Sequence, residues 1–110
     1  MFKWDQSNPV RVAVLHVEIH IPYAQSLKEK RMVVRSLRDK LRGRFDVAAN
    51  EVALQDLHQR ARIAITFIVD STASADAILD RLRGFVESNT DATLVGWTNE
   101  KLDFDETATL

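Results

Sequence analysis

The chain contains no cysteine. That absence removes disulfides, thiolate nucleophiles and cysteine-based zinc sites together, and it agrees with a reducing compartment. Glycine and proline are scarce, at 3 and 2 residues in 110, so there is no glycine-rich phosphate loop and no proline-rich linker. Aromatic residues make up only 7%, and no pair of them is placed for base stacking. Long apolar runs are missing too: a stretch such as Ile63 to Val69 falls far short of the roughly 20 residues of a membrane-spanning helix. The opening Met1-Phe2-Lys3-Trp4-Asp5 carries an acid and lacks the apolar core of a secretory signal. A cytoplasmic protein without a membrane partner is expected. No charge of one sign dominates either, since 15 Lys and Arg meet 16 Asp and Glu for a net charge of −1.

What is present is an ordinary globular balance, 45% hydrophobic and 28% charged, enough for one domain with a real core. Met1 to Pro9 is polar and aperiodic and reads as a flexible N-terminal extension. From Val10 to Ile21 the residues alternate, with Ala13, Leu15, Val17, Ile19 and Ile21 on one side and His16, Glu18 and His20 on the other. That is a strand with one buried face, stopped by Pro22. Ser26-Leu27-Lys28-Glu29 fits a capping box and predicts a helix over 27–42, with Gly43 placed as its left-handed C-terminal residue. Strands follow at 44–54, 59–70 and 92–104. Between the last two, Ala75, Ile78, Leu79, Leu82 and Val86 recur at helical spacing after the candidate caps Ser71 to Ser74, and Asn89 to Asp91 break that helix.

The order β-α-β-β-α-β predicts an α+β, ferredoxin-like fold over residues 10–105: a four-stranded antiparallel sheet with both helices on one face. Residues 106–110 are expected to be frayed.

Charge is segregated within this neutral total. Between Lys28 and Arg44 lie Lys28, Lys30, Arg31, Arg35, Arg38, Lys40, Arg42 and Arg44, against Glu29 and Asp39. At 100° per residue, Arg31, Arg35, Arg38 and Arg42 form one stripe, bordered by Lys28, beside a buried seam of Leu27, Val34, Leu37 and Leu41. Like charges four residues apart cost an isolated helix a few tenths of a kcal/mol per pair. Three readings compete: a solvated face, with the acidic segment Glu100, Asp103, Asp105 and Glu106 as a partner; a surface for RNA phosphates, which arginine suits through its planar fork; or a site for an acidic protein. In the RNA reading the contacts are Lys28, Arg31, Arg35, Arg38, Arg42 and Arg44. Lys30 points into the apolar sector. It is expected to be structural, running along that surface or reaching a carboxylate near a strand end.

His16, Glu18 and His20 share the open face of the first strand with Arg60, Arg62, Thr66 and Ile68 of the third. Glu18 is placed to pair with Arg60 or Arg62. The face reads either as a polar sheet surface or, through His16, Glu18, His20, Arg60 and Arg62, as a homodimer or partner surface. His16 and His20 lie about 13 Å apart along the strand, so they cannot share a metal ion. Glu51, Asp56 and His58 offer acid and base groups without a nucleophile or oxyanion donor beside them. No catalytic residue, metal or cofactor is expected.

The segment from His20 to Arg31 (His20-Ile21-Pro22-Tyr23-Ala24-Gln25-Ser26-Leu27-Lys28-Glu29-Lys30-Arg31), with Val34, Ser36-Leu37, Leu41-Arg42 and Arg44-Phe45, closely resembles the bacterial YlxP-like family of unknown function. Glu51-Val52, Gln55-Asp56-Leu57 and Gln59-Arg60-Ala61 match the family's second characteristic segment. The likeness spans roughly Val10 to Phe104, and its Ser-Leu-Lys-Glu-Lys-Arg core is the specific part. The family usually has Trp where this chain has His58, so no role of that indole carries over. The resemblance implies a ferredoxin-like fold, no assigned enzymatic activity and, from the company its genes keep among termination and translation-initiation genes, association with ribosomal RNA or ribosomal particles.

Overall fold

A computed structural model describes residues 10–88 and 92–104. The extension expected at residues 1–9, the helix break at 89–91 and the frayed end at 106–110 lie outside these described residues. The elements are β1 (Val10–His20), α1 (Leu27–Arg44), β2 (Ala48–Ala53), β3 (Arg60–Val69), α2 (Thr72–Ser88) and β4 (Thr93–Phe104). All neighbouring strands are antiparallel, in the order β2-β3-β1-β4. This is the ferredoxin-like βαββαβ arrangement.

Alternation in β1 and β3 decides which face is covered. The two strands pair in register from Arg11 opposite Val69 to His20 opposite Arg60. Ala13, Leu15, Val17 and Ile19 of β1 and Ala61, Ile63, Ile65 and Phe67 of β3 are therefore buried together on one side. Val34, Leu37 and Leu41 of α1 and Ala75, Leu79, Leu82 and Val86 of α2 close over them. Helix α1 lies on β2 and β3, and α2 on β3 and β4, so the two helices serve opposite edges of the sheet.

The caps are those the sequence specifies at both helix starts. Ser26 Oγ accepts the Glu29 amide at 3.1 Å, and Glu29 Oε2 accepts the Gln25 amide at 2.8 Å. For α2, Ser71 Oγ accepts the Ser74 amide at 3.1 Å. The end of α1 departs from expectation. Gly43 stays helical, and no described glycine has a positive φ. The helix runs on to Arg44 and is closed by Phe45, in extended conformation at φ −119°, whose amide donates to the Leu41 carbonyl. The cause is Phe45 itself. Its ring is buried edge-on against Phe85 of α2, with centroids 5.4 Å apart, and this contact turns the chain away from the helix axis. For the same reason β2 begins at Ala48 rather than at Arg44.

Candidate nucleic-acid interface and the open sheet face

Helix α1 presents its basic residues on the flank beside the core seam, but the structure does not hold all of them alike. Lys28, Arg31 and Arg35 are exposed and make no hydrogen bond or ion pair among the described residues. Among the described residues Arg38 meets only its neighbour Asp39, from Nε and Nη2 at 3.2 Å each. Arg42 is committed elsewhere: its Nη2 donates to the Ala49 carbonyl at 2.7 Å and to Asn50 Oδ1 at 2.9 Å. It thereby ties α1 to β2, an edge strand of the sheet, and a charged group laid on such a strand discourages pairing with another chain. Arg44, the end residue of the set and outside the stripe itself, sits over the Phe85 ring, 5.6 Å from its centroid. The six-residue set divides into a free row of Lys28, Arg31 and Arg35, an adjoining Arg38, and two arginines used for packing.

The described acids near the chain's end do not neutralise that row. Glu100 and Asp103 lie in β4, at the opposite edge from β2. Asp103 pairs with Arg11 of β1 at 2.8 Å, and Lys101 of the same strand pairs with Asp76 of α2.

Lys30 is wholly buried, at 0% exposure. It takes the place in the buried seam expected for Leu27, which is only half-buried. Its ammonium donates to the carbonyls of Leu54, Gln55 and Arg60 at 2.8, 3.2 and 3.2 Å. Glu51 Oε2 lies 3.0 Å away. An ammonium has three donors, and the three carbonyls take them. Glu51 therefore balances the charge at contact distance without a directed hydrogen bond to that oxygen. The geometry follows from the strand: Glu51 pairs with Ile63 and so shares its core-facing side, and the register slips immediately afterwards, between Glu51 and Ala53. Leu54 then adopts φ +64°, a left-handed conformation costing roughly 1–2 kcal/mol for a side-chain-bearing residue, which turns its carbonyl onto Lys30. Gln59 completes the join by donating to the Pro22 and Ala24 carbonyls at 3.1 and 3.2 Å. The characteristic segments around residues 20–31 and 51–61 are thus one structural unit. Of the acid and base groups noted there, Glu51 is spent on Lys30, while Asp56 and His58 are exposed in the turn.

On the uncovered face, Glu18 sits between two arginines. Arg62 donates to its Oε1 at 3.0 Å and Arg60 to its Oε2 at 2.8 Å. The bond from Arg62 is the main reason the Glu18 carboxyl is held below its ordinary value of 4.5; partial burial opposes it, and the Arg60 bond and the two guanidinium charges add to it. Gly96 of β4 lies opposite Glu18 at a bulge; a Cβ there would meet Glu18 Cβ at 3.2 Å, so glycine leaves room for the triad. His16 lines a shallow cleft beside Glu18 and Arg62, and His20 stands opposite Arg60. The far end of this face is apolar. Ile68, Val12 and Leu102 pair across β3, β1 and β4 in one row, with Ile68 76% and Leu102 48% exposed. That row escapes a reading by strand, because its members come from three separate segments.

No described helix is long and apolar enough to cross a membrane, and no group of three His, Asp or Glu residues among the described residues is arranged to hold a metal ion. The chain is 32% identical over 65 residues, 59% of this chain and 71% of the relative, to the uncharacterized protein YlxP of Bacillus subtilis (strain 168). Residues 12–98 match a family described as protein of unknown function, DUF503. That match covers both helices, the whole of β2 and β3, most of β1 and the first half of β4, and the chain belongs to the DUF503 family.

Proposed function

We propose that this protein is a non-catalytic domain that binds structured RNA, in ribosomal particles, through the outer flank of α1. The observation that carries the reading is the row Lys28, Arg31 and Arg35: three exposed cations on successive turns, unpaired among the described residues, next to an Arg38 held only by Asp39. From Lys28 to Arg38 the helix rises about 15 Å, a straight cationic edge suited to a phosphate backbone and blind to base identity. Three phosphate contacts on a duplex correspond to a slope of log K against log salt near −3. Sedimentation with ribosomal particles across a salt series tests this. The triple variant Lys28→Gln, Arg31→Gln, Arg35→Gln should lose binding and flatten the slope while keeping its thermal midpoint. Wild-type binding by that variant would refute the assignment. Arg42 is left intact because replacing it would disturb β2.

The apolar row favours a second reading, in which the open face pairs with another copy of the chain. Ile68, Val12 and Leu102 would meet the same residues of the second copy, as two-fold symmetry permits. A four-stranded face of this length covers about 600 Å² per copy, the lower end of stable interfaces, so a weak dimer is expected. Sedimentation equilibrium should give a concentration-dependent mass that Ile68→Glu or Arg62→Glu returns to monomer. A wild-type monomer at millimolar concentration would count against it.

A further inference from the structure

We infer that the cleft between the C-terminal end of α1 and the middle of α2 is an oxyanion site, built for a phosphate or carboxylate group attached to a small apolar body. The cleft measures about 310 Å³ and is lined by Arg44, Phe45, Val47, Phe67, Ile78 and Arg81, with Asp46 also on its wall. Two guanidiniums therefore meet one depression. Each lies over a phenyl ring from across the cleft: Arg44 of α1 is 5.6 Å from the centroid of Phe85 of α2, and Arg81 of α2 is 5.5 Å from that of Phe45, the residue that closes α1. The two rings are themselves locked edge to face. The four side chains form a reciprocal cluster across the helix pair.

The cation–π contacts place the guanidiniums but leave their donors unused. Each carries five N–H groups in a planar fork, and neither arginine hydrogen-bonds or ion-pairs with any described residue. Asp46 forms no ion pair with them, so the two cations and one carboxylate leave a net positive charge at the cleft. A guanidinium that meets an aromatic face through its charge keeps its N–H edge free for bidentate bonding to an oxyanion. Val47, Phe67 and Ile78 supply the apolar wall that a bare ion does not need. Arg44 and Arg81 face the gap between the helices, whereas Lys28, Arg31 and Arg35 occupy the other flank of α1, so this site is independent of the proposed RNA surface.

The full chain, labelled with ¹⁵N, is titrated with phenyl phosphate at constant ionic strength, with inorganic phosphate, phenylacetate, a short RNA oligonucleotide and sodium chloride in parallel. Saturable shifts at the amides of residues 45–47, 78 and 81 are expected from phenyl phosphate, weaker ones at the same amides from inorganic phosphate, and none from chloride. Arg44→Gln and Arg81→Gln should each weaken binding about tenfold, the loss of one charge-assisted contact. Arg44→Lys and Arg81→Lys, which keep the cation over the ring but lose the fork, should weaken it less and serve if the Gln variants misfold. Phenylacetate shifts of equal strength would make the ligand a carboxylate; cleft shifts from the oligonucleotide would make it a nucleic-acid phosphate, and their absence a free metabolite. Non-saturable shifts, or shifts that persist in the Arg44→Gln/Arg81→Gln protein, would overturn the proposal.

Discussion

Replacing Lys30 with methionine should destabilise the domain more than any single change on its surface. Methionine is unbranched and adaptable and fills much of the same volume, so a cavity contributes little. What is lost is electrostatic. The carbonyls of Leu54, Gln55 and Arg60 lose the bond from the ammonium, that of Leu54 keeping the Leu57 amide, and Glu51 is left facing the core with no cation at 3.0 Å. Removing one member of a buried pair costs about 3–5 kcal/mol. Three lost charge-assisted hydrogen bonds at roughly 1 kcal/mol or more each independently give a similar figure. A domain of this size has only about 5–15 kcal/mol in total. With a urea dependence of about 2 kcal/mol per molar, the unfolding midpoint should fall by about 2 M. Adding Glu51→Gln should restore part of the loss, because the uncompensated carboxylate goes with it. Hydrogen exchange should show the opening concentrated at residues 51–60. A Lys30→Met protein within about 1 kcal/mol of wild type, or a double variant less stable than the single one, would refute this account of the buried lysine.

The triad on the open face makes stability depend on pH. The folded pKa of Glu18 is lowered, so its contribution is complete above the ordinary carboxylate value and lost as pH falls through the folded one; Glu18→Gln should flatten that acid limb in a series of urea midpoints. Gly43 and Gly84 are helical and have no positive φ, and a Cβ added at either would meet nothing within 4 Å. Gly43→Ala and Gly84→Ala should therefore each add about 0.5–1 kcal/mol, read as a rise in thermal midpoint. Arg42→Gln should cost about 1–2 kcal/mol through its bonds to Ala49 and Asn50 and, by uncovering the edge strand, raise the rate of aggregation followed by light scattering.

The fold was legible because its two central strands are its best-patterned ones. The alternation of Ala13 to Ile21 and of Ala61 to Val69 fixes the buried face, and Ser26 and Ser71 mark the helix starts through local hydrogen bonds that sequence can display. Glu18 with Arg60 and Arg62 was legible for the same reason, since strand parity puts all three on one face. The end of α1 was not: Gly43 carries a local signal, but Phe45 ends the helix through its contact with Phe85, and no local pattern shows a partner so far along the chain. The basic stripe was half legible. Helical geometry gives the angles of Arg42 and Arg44, and they are as cationic as Arg31, but only tertiary structure shows that Arg42 bonds to β2 and Arg44 turns to α2.

Lys30 shows how the same helix can carry both a fold and a surface. Its ammonium is the one cation of α1 directed into the core, and it holds the backbone where β2 turns toward β3. A buried lysine is a poor way to gain stability, since a well-packed apolar residue would avoid the desolvation cost. It does specify one arrangement. The lysine's bonds to three carbonyls, together with the Leu57 amide on the Leu54 carbonyl at 3.0 Å, favour Leu54 at φ +64°, and that turn sets where Gln59 can reach Pro22 and Ala24. Those carbonyls belong to the loop leading into Ser26, which starts α1 and so sets the position of Lys28, Arg31 and Arg35. The chain of contacts runs from a core lysine to the outward cations on the same helix. If it fixes their position, a Lys30→Met protein held folded by Gly43→Ala and Gly84→Ala should bind ribosomal particles more weakly than wild type, although no residue of the binding row has changed. Undiminished binding by that protein would show that Lys30 serves stability alone.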